Sequence, residues 1–354
     1  MSRFMASRYS ALKAYTPGEQ PTDMKYIKLN TNESPFPPSP GVIKAISAEQ
    51  VEDLRLYSDP ECGKLRQVIA KQFGFEKENV FVSNGSDDIL NFSFMAFCEN
   101  GVAFPEISYG FYQVYADLYG LDAVKIPLSE DFSVCADDYC GIDRTVVIAN
   151  PNAPTGIALS KDEIERIVKT NPNRVVLIDE AYVDFGAESC LSLVNQYENL
   201  LVVRTFSKSY SLAGARLGFA IGQRGLIEDL EKIKYSTNPY NINRLTLLAG
   251  TAAMEENEYY MENCRKIEQN RAYLTDSLRD MGFWVLPSNA NFIFAESPEI
   301  DGEALYLALK RRGILVRHFT NEKIKNYNRI TIGTIEEMKA LTEAIREILN
   351  AARA

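Results

Sequence analysis

Leu200-Leu201-Val202-Val203-Arg204-Thr205-Phe206-Ser207-Lys208-Ser209-Tyr210-Ser211-Leu212-Ala213-Gly214-Ala215-Arg216-Leu217-Gly218 is the stretch on which the reading of this chain turns. An apolar run of the kind that fills a buried strand ends here, and a lysine flanked by serines follows it. Arg216 comes eight residues after that lysine. Twenty-nine residues before Lys208, a second apolar run, Val175-Val176-Leu177-Ile178, gives way to Asp179-Glu180-Ala181-Tyr182. Ligands of open parallel sheets gather outside the carboxyl ends of the strands. Two polar clusters at two such ends therefore predict an α/β fold with its site along one sheet edge.

The same rhythm extends outward. Strands are expected at 80–82, 102–104, 123–126, 146–149, 175–178, 201–203 and 217–221, with helices at 63–73, 87–98, 111–118 and 161–169. Near-continuous β-branched runs alternating with helices predict a mostly parallel mixed sheet covered on both faces. A helical region over 243–281 leaves this layer. It is followed by strands at 291–295, 314–316 and 329–332 and helices at 302–312 and 336–351, which predict a smaller α/β domain. The expected division is an N-terminal arm, 1–30, packing with the small domain, a large domain, 31–260, and the small C-terminal domain, 261–354. Four prolines within Pro35–Pro40 make an extended connector after the arm.

Composition removes several classes of function. A net charge of −10 argues against a nucleic-acid surface. The opening, Met1-Ser2-Arg3-Phe4-Met5-Ala6-Ser7-Arg8, has no apolar core of signal-peptide length, and no apolar run approaches the ~18 residues of a membrane span, so a cytoplasmic protein with no membrane partner is expected. Only Cys135 and Cys140 of the six cysteines lie close together, and His318 is the single histidine, so no metal site is expected. A chain so poor in histidine must move protons with another group, such as lysine.

Further polar motifs follow other strands. Ser83-Asn84-Gly85-Ser86-Asp87 offers a tight turn and a helix N-terminus, which either binds a phosphate or is simply capped by Ser86 and Asp87. Ser108-Tyr109-Gly110-Phe111-Tyr112 offers Tyr109 for stacking on a flat ring, or an aromatic patch of core. Asn150-Pro151-Asn152-Ala153-Pro154-Thr155-Gly156 is a rigid turn that either punctuates the chain or aims an amide at a ligand. Arg317, in Leu315-Val316-Arg317-His318-Phe319, and Arg329, in Asn328-Arg329-Ile330-Thr331, are candidate anion holders or solvated surface arginines. An amine for a Schiff base, hydroxyls and an arginine for a phosphate, and a carboxylate for a protonated ring nitrogen are together what pyridoxal 5'-phosphate requires.

From Leu29-Asn30-Thr31-Asn32-Glu33 to Arg329-Ile330-Thr331-Ile332-Gly333-Thr334, these motifs resemble the fold-type-I aminotransferases, and within them the branch that acts on histidinol phosphate. The resemblance implies that Lys208 carries the cofactor and then serves as general base. Asp179 is then the partner of the ring nitrogen, Tyr182 of the phenolic oxygen, and Tyr109 stacks on the ring. Gly85, Ser86, Asp87, Ser207 and Arg216 form the phosphate site, and Tyr57 reaches the phosphate of a neighbouring subunit in a homodimer. Tyr15, Asn32, Arg317 and Arg329 face the substrates, with Arg329 on a carboxylate and Arg317 on a phosphate.

One departure stands out. The family usually has asparagine immediately before Pro-Thr-Gly, where this chain has Ala153. Either Asn152 reaches the ring instead, or Tyr182 acts alone. The expected reaction is transamination of L-histidinol phosphate with 2-oxoglutarate, so the partners are small amino donors and 2-oxo acids. Decarboxylation of threonine phosphate, a broad aromatic aminotransferase, and a regulator that senses the cofactor are the alternatives. The last would need a DNA-binding module and a basic face, and the sequence has neither.

Overall fold

Runs of valine, isoleucine and leucine with no polar face are strands buried on both sides, and six of the seven strands of the central sheet are fully buried, the edge strand at 123–126 being partly exposed. The computed structural model describes residues 4–9 and 11–353. The strands are β1 (Val80–Ser83), β2 (Val102–Pro105), β3 (Ala123–Ile126), β4 (Thr145–Ala149), β5 (Val176–Asp179), β6 (Leu200–Thr205) and β7 (Gly218–Gly222). Their order is β1-β7-β6-β5-β4-β2-β3. All neighbouring pairs are parallel except those of β7, which runs against both β6 and β1.

Alternation of side chains along each strand divides the sheet's contacts between two cores. Val176, Ile178, Leu200 and Val202 point to one face, where they meet helices α1 (Gly63–Phe73), α4 (Lys161–Thr170) and α6 (Arg244–Glu255). Leu177, Leu201 and Val203 point to the other, where α2 (Ser86–Phe97), α3 (Phe111–Tyr119) and α5 (Arg224–Thr237) cover them. Each such side chain, fully buried, contributes about 1.5–3 kcal/mol. Helix α4 starts at a capping box in which Ser160 and Glu163 satisfy each other's backbone N–H groups.

The helical region expected over 243–281 is two helices, α6 and α7 (Asn257–Asp280), broken at Glu256. The carboxylate of Glu256 accepts from the backbone N–H of Gly41 at 2.9 Å. Tyr260 of α7 still packs in the first core, whereas Cys264, Ile267, Leu274 and Leu278 belong to a separate one. That second core lies under an antiparallel sheet of β8 (Trp284–Val285), β9 (Phe292–Glu296), β10 (Arg317–His318) and β11 (Tyr327–Thr331), ordered β10-β11-β9-β8. Helices α8 (Gly302–Arg311) and α9 (Ile335–Arg353) complete it.

The strand expected at 314–316 is split. Ile314–Leu315 pairs in parallel with Ile27–Lys28, and after Val316 the chain changes sheet to form β10. Leu29 then bridges the two elements: its N–H donates to Leu315 and its carbonyl accepts from Thr331. Residues 29–32 therefore run from the second sheet to the edge of the first. No helix among the described residues is long and apolar enough to cross a membrane.

Because β7 is antiparallel, its first residue, Gly218, lies level with the last residues of β1 and β6, Ser83 and Thr205. A Cβ at Gly218 would overlap the backbone of Gly85 and Ser86, so only glycine lets β7 start this close to the N-terminus of α2. Gly218→Ala is expected to lower stability by about 1–3 kcal/mol, the usual cost of overpacking against backbone, read from the urea midpoint. An unchanged midpoint would contradict this packing.

Candidate active site

The carboxyl ends of β1, β4, β5 and β6 and the start of β7 share one edge, and a cavity of about 110 Å³ opens there. Asp179, the last residue of β5, faces it and is buried. Its Oδ2 accepts from the Tyr112 hydroxyl at 2.9 Å and its Oδ1 from the Ala181 N–H at 3.2 Å. Among the described residues no lysine, arginine or histidine pairs with it. Burial, with Asp87 and Glu180 adding negative charge nearby, pushes its carboxyl up to about 6 against the hydrogen bonds that favour ionisation.

Lys208 lies beyond the end of β6, with its ammonium donating to the Thr31 carbonyl at 3.2 Å and lying 5.8 Å from the centre of the Tyr182 ring. The loops bearing Asp179 and Lys208 are tied together beneath the cavity. The buried Arg204 bonds Glu180 at 3.0 Å and Asp184 at 3.1 Å, and Ser209 donates to Asp184 at 2.7 Å. Tyr182 turns its hydroxyl toward Asn32, whose amide donates to it at 3.0 Å, and sets its ring edge-on to Phe292 at 5.0 Å.

The opposite end of the cavity suits an anion. Ser86 and Asp87 open α2, and Gly85 before them holds a φ of 86° that favours glycine. Arg216 brings one guanidinium nitrogen 2.9 Å from the Asp87 carboxylate and another 3.4 Å from the Ser207 hydroxyl. Tyr109 donates to Asp87 at 2.6 Å, while Ala149, Ala153 and Ala181 leave a slot between these ends. An uncompensated carboxylate, a lysine amine and an arginine beside a helix N-terminus in one slot fit pyridoxal phosphate. The ring nitrogen would go to Asp179 and the phosphate to Arg216.

A larger cavity of about 390 Å³ continues from this slot past Lys208 and Tyr182. Arg329 of β11 lines it, is half-buried, and gives one N–H to the Asn30 carbonyl at 3.0 Å, while its Nε finds no acceptor among the described residues. Desolvation lowers its pKa, which marks a cation short of an anion. Arg317 is near the carbonyls of Thr16 and Pro17, at 3.4 and 3.5 Å. Tyr15 stacks on Phe111 at 4.3 Å and closes one side.

Gly85 adjoins the slot, and Ser86, Asp87, Tyr109, Asp179, Tyr182, Ser207, Lys208 and Arg216 all line it; Tyr15, Asn32, Arg317 and Arg329 line the larger cavity. One position, Asn152, departs from the sequence expectation. Asn152 does not reach the slot. Its amide nitrogen donates to Ile107 and Thr155, its oxygen accepts from Ser108, and the methyl of Ala153 lines the wall instead. Asn32 lines the larger cavity, but its amide is committed to Tyr182 and Thr331. Tyr57 is 79% exposed, stacks on Tyr240 at 4.5 Å and lines neither cavity.

Tyr112, Thr205 and Glu106 carry site contacts that the sequence reading did not assign. Tyr112 had a signal, as a tyrosine in the first turn of a helix that starts beside a strand end. Glu106 directly follows a strand end but bears no distinctive spacing.

Comparison with known proteins places these features in a family. The description "aminotransferase class I and II" matches residues 24–345. The histidinol-phosphate aminotransferase of Brachyspira hyodysenteriae is 50% identical over 352 residues, covering 99% of either chain. That of a Marinomonas species is 52% identical over 353 residues, covering 98% of this chain and 100% of the relative. The crystal structure of histidinol-phosphate aminotransferase from Sinorhizobium meliloti in complex with pyridoxal-5'-phosphate superposes with a TM-score of 0.83 at 25% identity, covering 92% of each chain.

The buried charge of Asp179 makes a prediction about the protein freed of small molecules. With its pKa raised, the folded chain holds the Asp179 proton more tightly than the unfolded chain, so stability from this group falls as pH rises from about 4 to about 6. Asp179→Asn removes that loss. At pH 7 the variant is expected to be more stable by up to about 3 kcal/mol in denaturant unfolding, with the gain vanishing near pH 4. A variant less stable than the parent at pH 7 would contradict an uncompensated carboxylate.

Proposed function

The chain belongs to the class I and II aminotransferases, and from that membership and the site we propose that it transfers the amino group of L-histidinol phosphate to 2-oxoglutarate, giving imidazole acetol phosphate and L-glutamate. The observation that carries the chemistry is the presence, in one slot, of both the Lys208 amine and Asp179, which forms no ion pair among the described residues. Histidinol-phosphate aminotransferases about half identical over the full chain support the substrate.

Pyridoxal phosphate, when bound, supplies the electron sink that lets a proton leave the carbon bearing the amino group. Asp179 holds the proton on the ring nitrogen and so maintains that sink. Lys208 would hold the cofactor through its amine and would serve as the general base that takes the proton from the substrate carbon. Arg216, Ser207 and the backbone N–H groups of Ser86 and Asp87 hold the phosphate. Tyr109 would stack on the ring, and the Tyr182 hydroxyl would serve its phenolic oxygen.

In this reading Arg329 takes the carboxylate of glutamate or 2-oxoglutarate, and its partial desolvation strengthens that pairing. Arg317 takes the phosphate of histidinol phosphate. The arm, 1–30, brings Tyr15 over the opening and packs with the small domain, 261–354, while 31–260 binds the cofactor; separate hydrophobic cores support that division.

A homodimer completes the proposal. Ile43, Val51, Leu54, Leu56 and Tyr57 are exposed along one short segment, an apolar surface that a second copy would cover while bringing Tyr57 to its partner's phosphate site. A cytoplasmic location, where thiols such as those of the free Cys135 and Cys140 stay reduced, belongs to the same reading.

The test is a coupled assay of the purified, cofactor-loaded protein with histidinol phosphate and 2-oxoglutarate. Glutamate formation is expected, together with loss of turnover and of the lysine-bound cofactor absorbance in Lys208→Ala. Carbon dioxide release from threonine phosphate without glutamate formation, or full multiple turnover in Lys208→Ala, would overturn the reading.

A further inference from the structure

Tyr182 lines the slot and packs against the cluster that contains Ala153, and what fixes its hydroxyl lies outside the slot. Asn32 holds a left-handed φ of 55° and is buried. Its backbone N–H donates to the Thr331 hydroxyl oxygen at 3.0 Å, and that hydroxyl donates to the Asn32 Oδ1 at 3.0 Å. Asn291 adds a bond from its amide to the Asn32 carbonyl at 2.9 Å.

These bonds decide the Asn32 side chain. A hydroxyl that already accepts from the backbone N–H turns its hydrogen to Oδ1, so the amide nitrogen is the end that faces Tyr182. The Tyr182 oxygen accepts from Asn32, and its own hydrogen is left for the slot. Donation runs in one direction, from Thr331 to Asn32 to Tyr182, and each bond in such a chain polarises the next. The chain starts on β11, in the second sheet, and ends on the loop after β5.

We propose that Asn32 is a positioning residue: the Thr331–Asn32 relay aims the Tyr182 hydroxyl at the phenolic oxygen of bound pyridoxal phosphate and compensates for the methyl at Ala153. The proposal rests on the cofactor reading above. A left-handed asparagine is kept here because an amide at this place must meet Thr331 and Tyr182 at once. Asn32 thereby serves the cofactor ring, although it also borders the substrate cavity.

The readout is the pH midpoint of the visible absorbance of the cofactor-loaded protein. Weaker donation to the phenolic oxygen leaves more negative charge there, which holds the proton on the neighbouring nitrogen more tightly and raises the midpoint. Asn32→Ala is expected to raise it by about 1 pH unit, the scale of one hydrogen bond to a charged group. Thr331→Val, which cuts the relay at its far end and keeps the side-chain shape, is expected to raise it by less, and carries the test should Asn32→Ala not fold.

Ala153→Asn placed in the Asn32→Ala background is expected to bring the midpoint back, because it restores a donor beside Tyr182. A general loosening of the fold would not be reversed this way. Unmoved midpoints in Asn32→Ala and Thr331→Val, with normal absorbance, would overturn the relay alone. No cofactor absorbance in the unaltered protein would overturn the functional reading and the relay with it.

Discussion

A carboxylate buried at the end of a central strand, unpaired with any cation among the described residues, is the constraint around which this structure is arranged. Moving Asp179 out of water disfavours its charge, and the two hydrogen bonds from Tyr112 and Ala181 offset only part of that. Left alone, such a group is a defect. Set facing a slot whose other end holds Arg216 and a helix N-terminus, it selects a ligand that is cationic at one end and anionic at the other. The same logic recurs in the larger cavity with the sign reversed, where the half-buried, desolvated Arg329 pairs with no carboxylate among the described residues.

The fold makes this arrangement affordable by concentrating its irregularities on one edge. Six strands run in one direction and deliver their carboxyl ends together, and β7 enters from the opposite direction through Gly218, the residue that leaves room for the turn at Gly85 and Ser86. Beneath the slot, Arg204 ties the loops after β5 and β6 through Glu180 and Asp184. Removing one partner from a buried pair like this costs about 3–5 kcal/mol, so the spacing between Asp179 and Lys208 is held firmly. The segment from Leu29 to Asn32 carries the second sheet to the same edge, which places Arg329, Asn32 and Lys208 around one opening.

Much of this was legible in the sequence because burial on both faces of a parallel sheet writes itself as uninterrupted β-branched runs. The fold class, the strand order of events along the chain, and the positions of Asp179 and Lys208 followed from where those runs stop. Side-chain direction was less legible. Asn152 stands in the right turn, yet its amide is taken up by Ile107, Thr155 and Ser108, a matter of turn geometry that spacing does not encode. The bond between Asn32 and Tyr182 spans 150 positions and leaves no local pattern. Tyr112 read as a core aromatic, which it is, and its hydroxyl on Asp179 depends on the close approach of α3 to β5. Nor does composition distinguish a desolvated arginine from a solvated one, so Arg329 gained its meaning only from its surroundings.

The central claim is that Asp179 keeps a bound ring nitrogen protonated. Nitrogen-15 NMR of the protein loaded with pyridoxal phosphate labelled at the ring nitrogen measures that proton directly. The account predicts a pyridinium signal across neutral pH that is lost in Asp179→Asn. A neutral pyridine signal at neutral pH in the unaltered protein would contradict it.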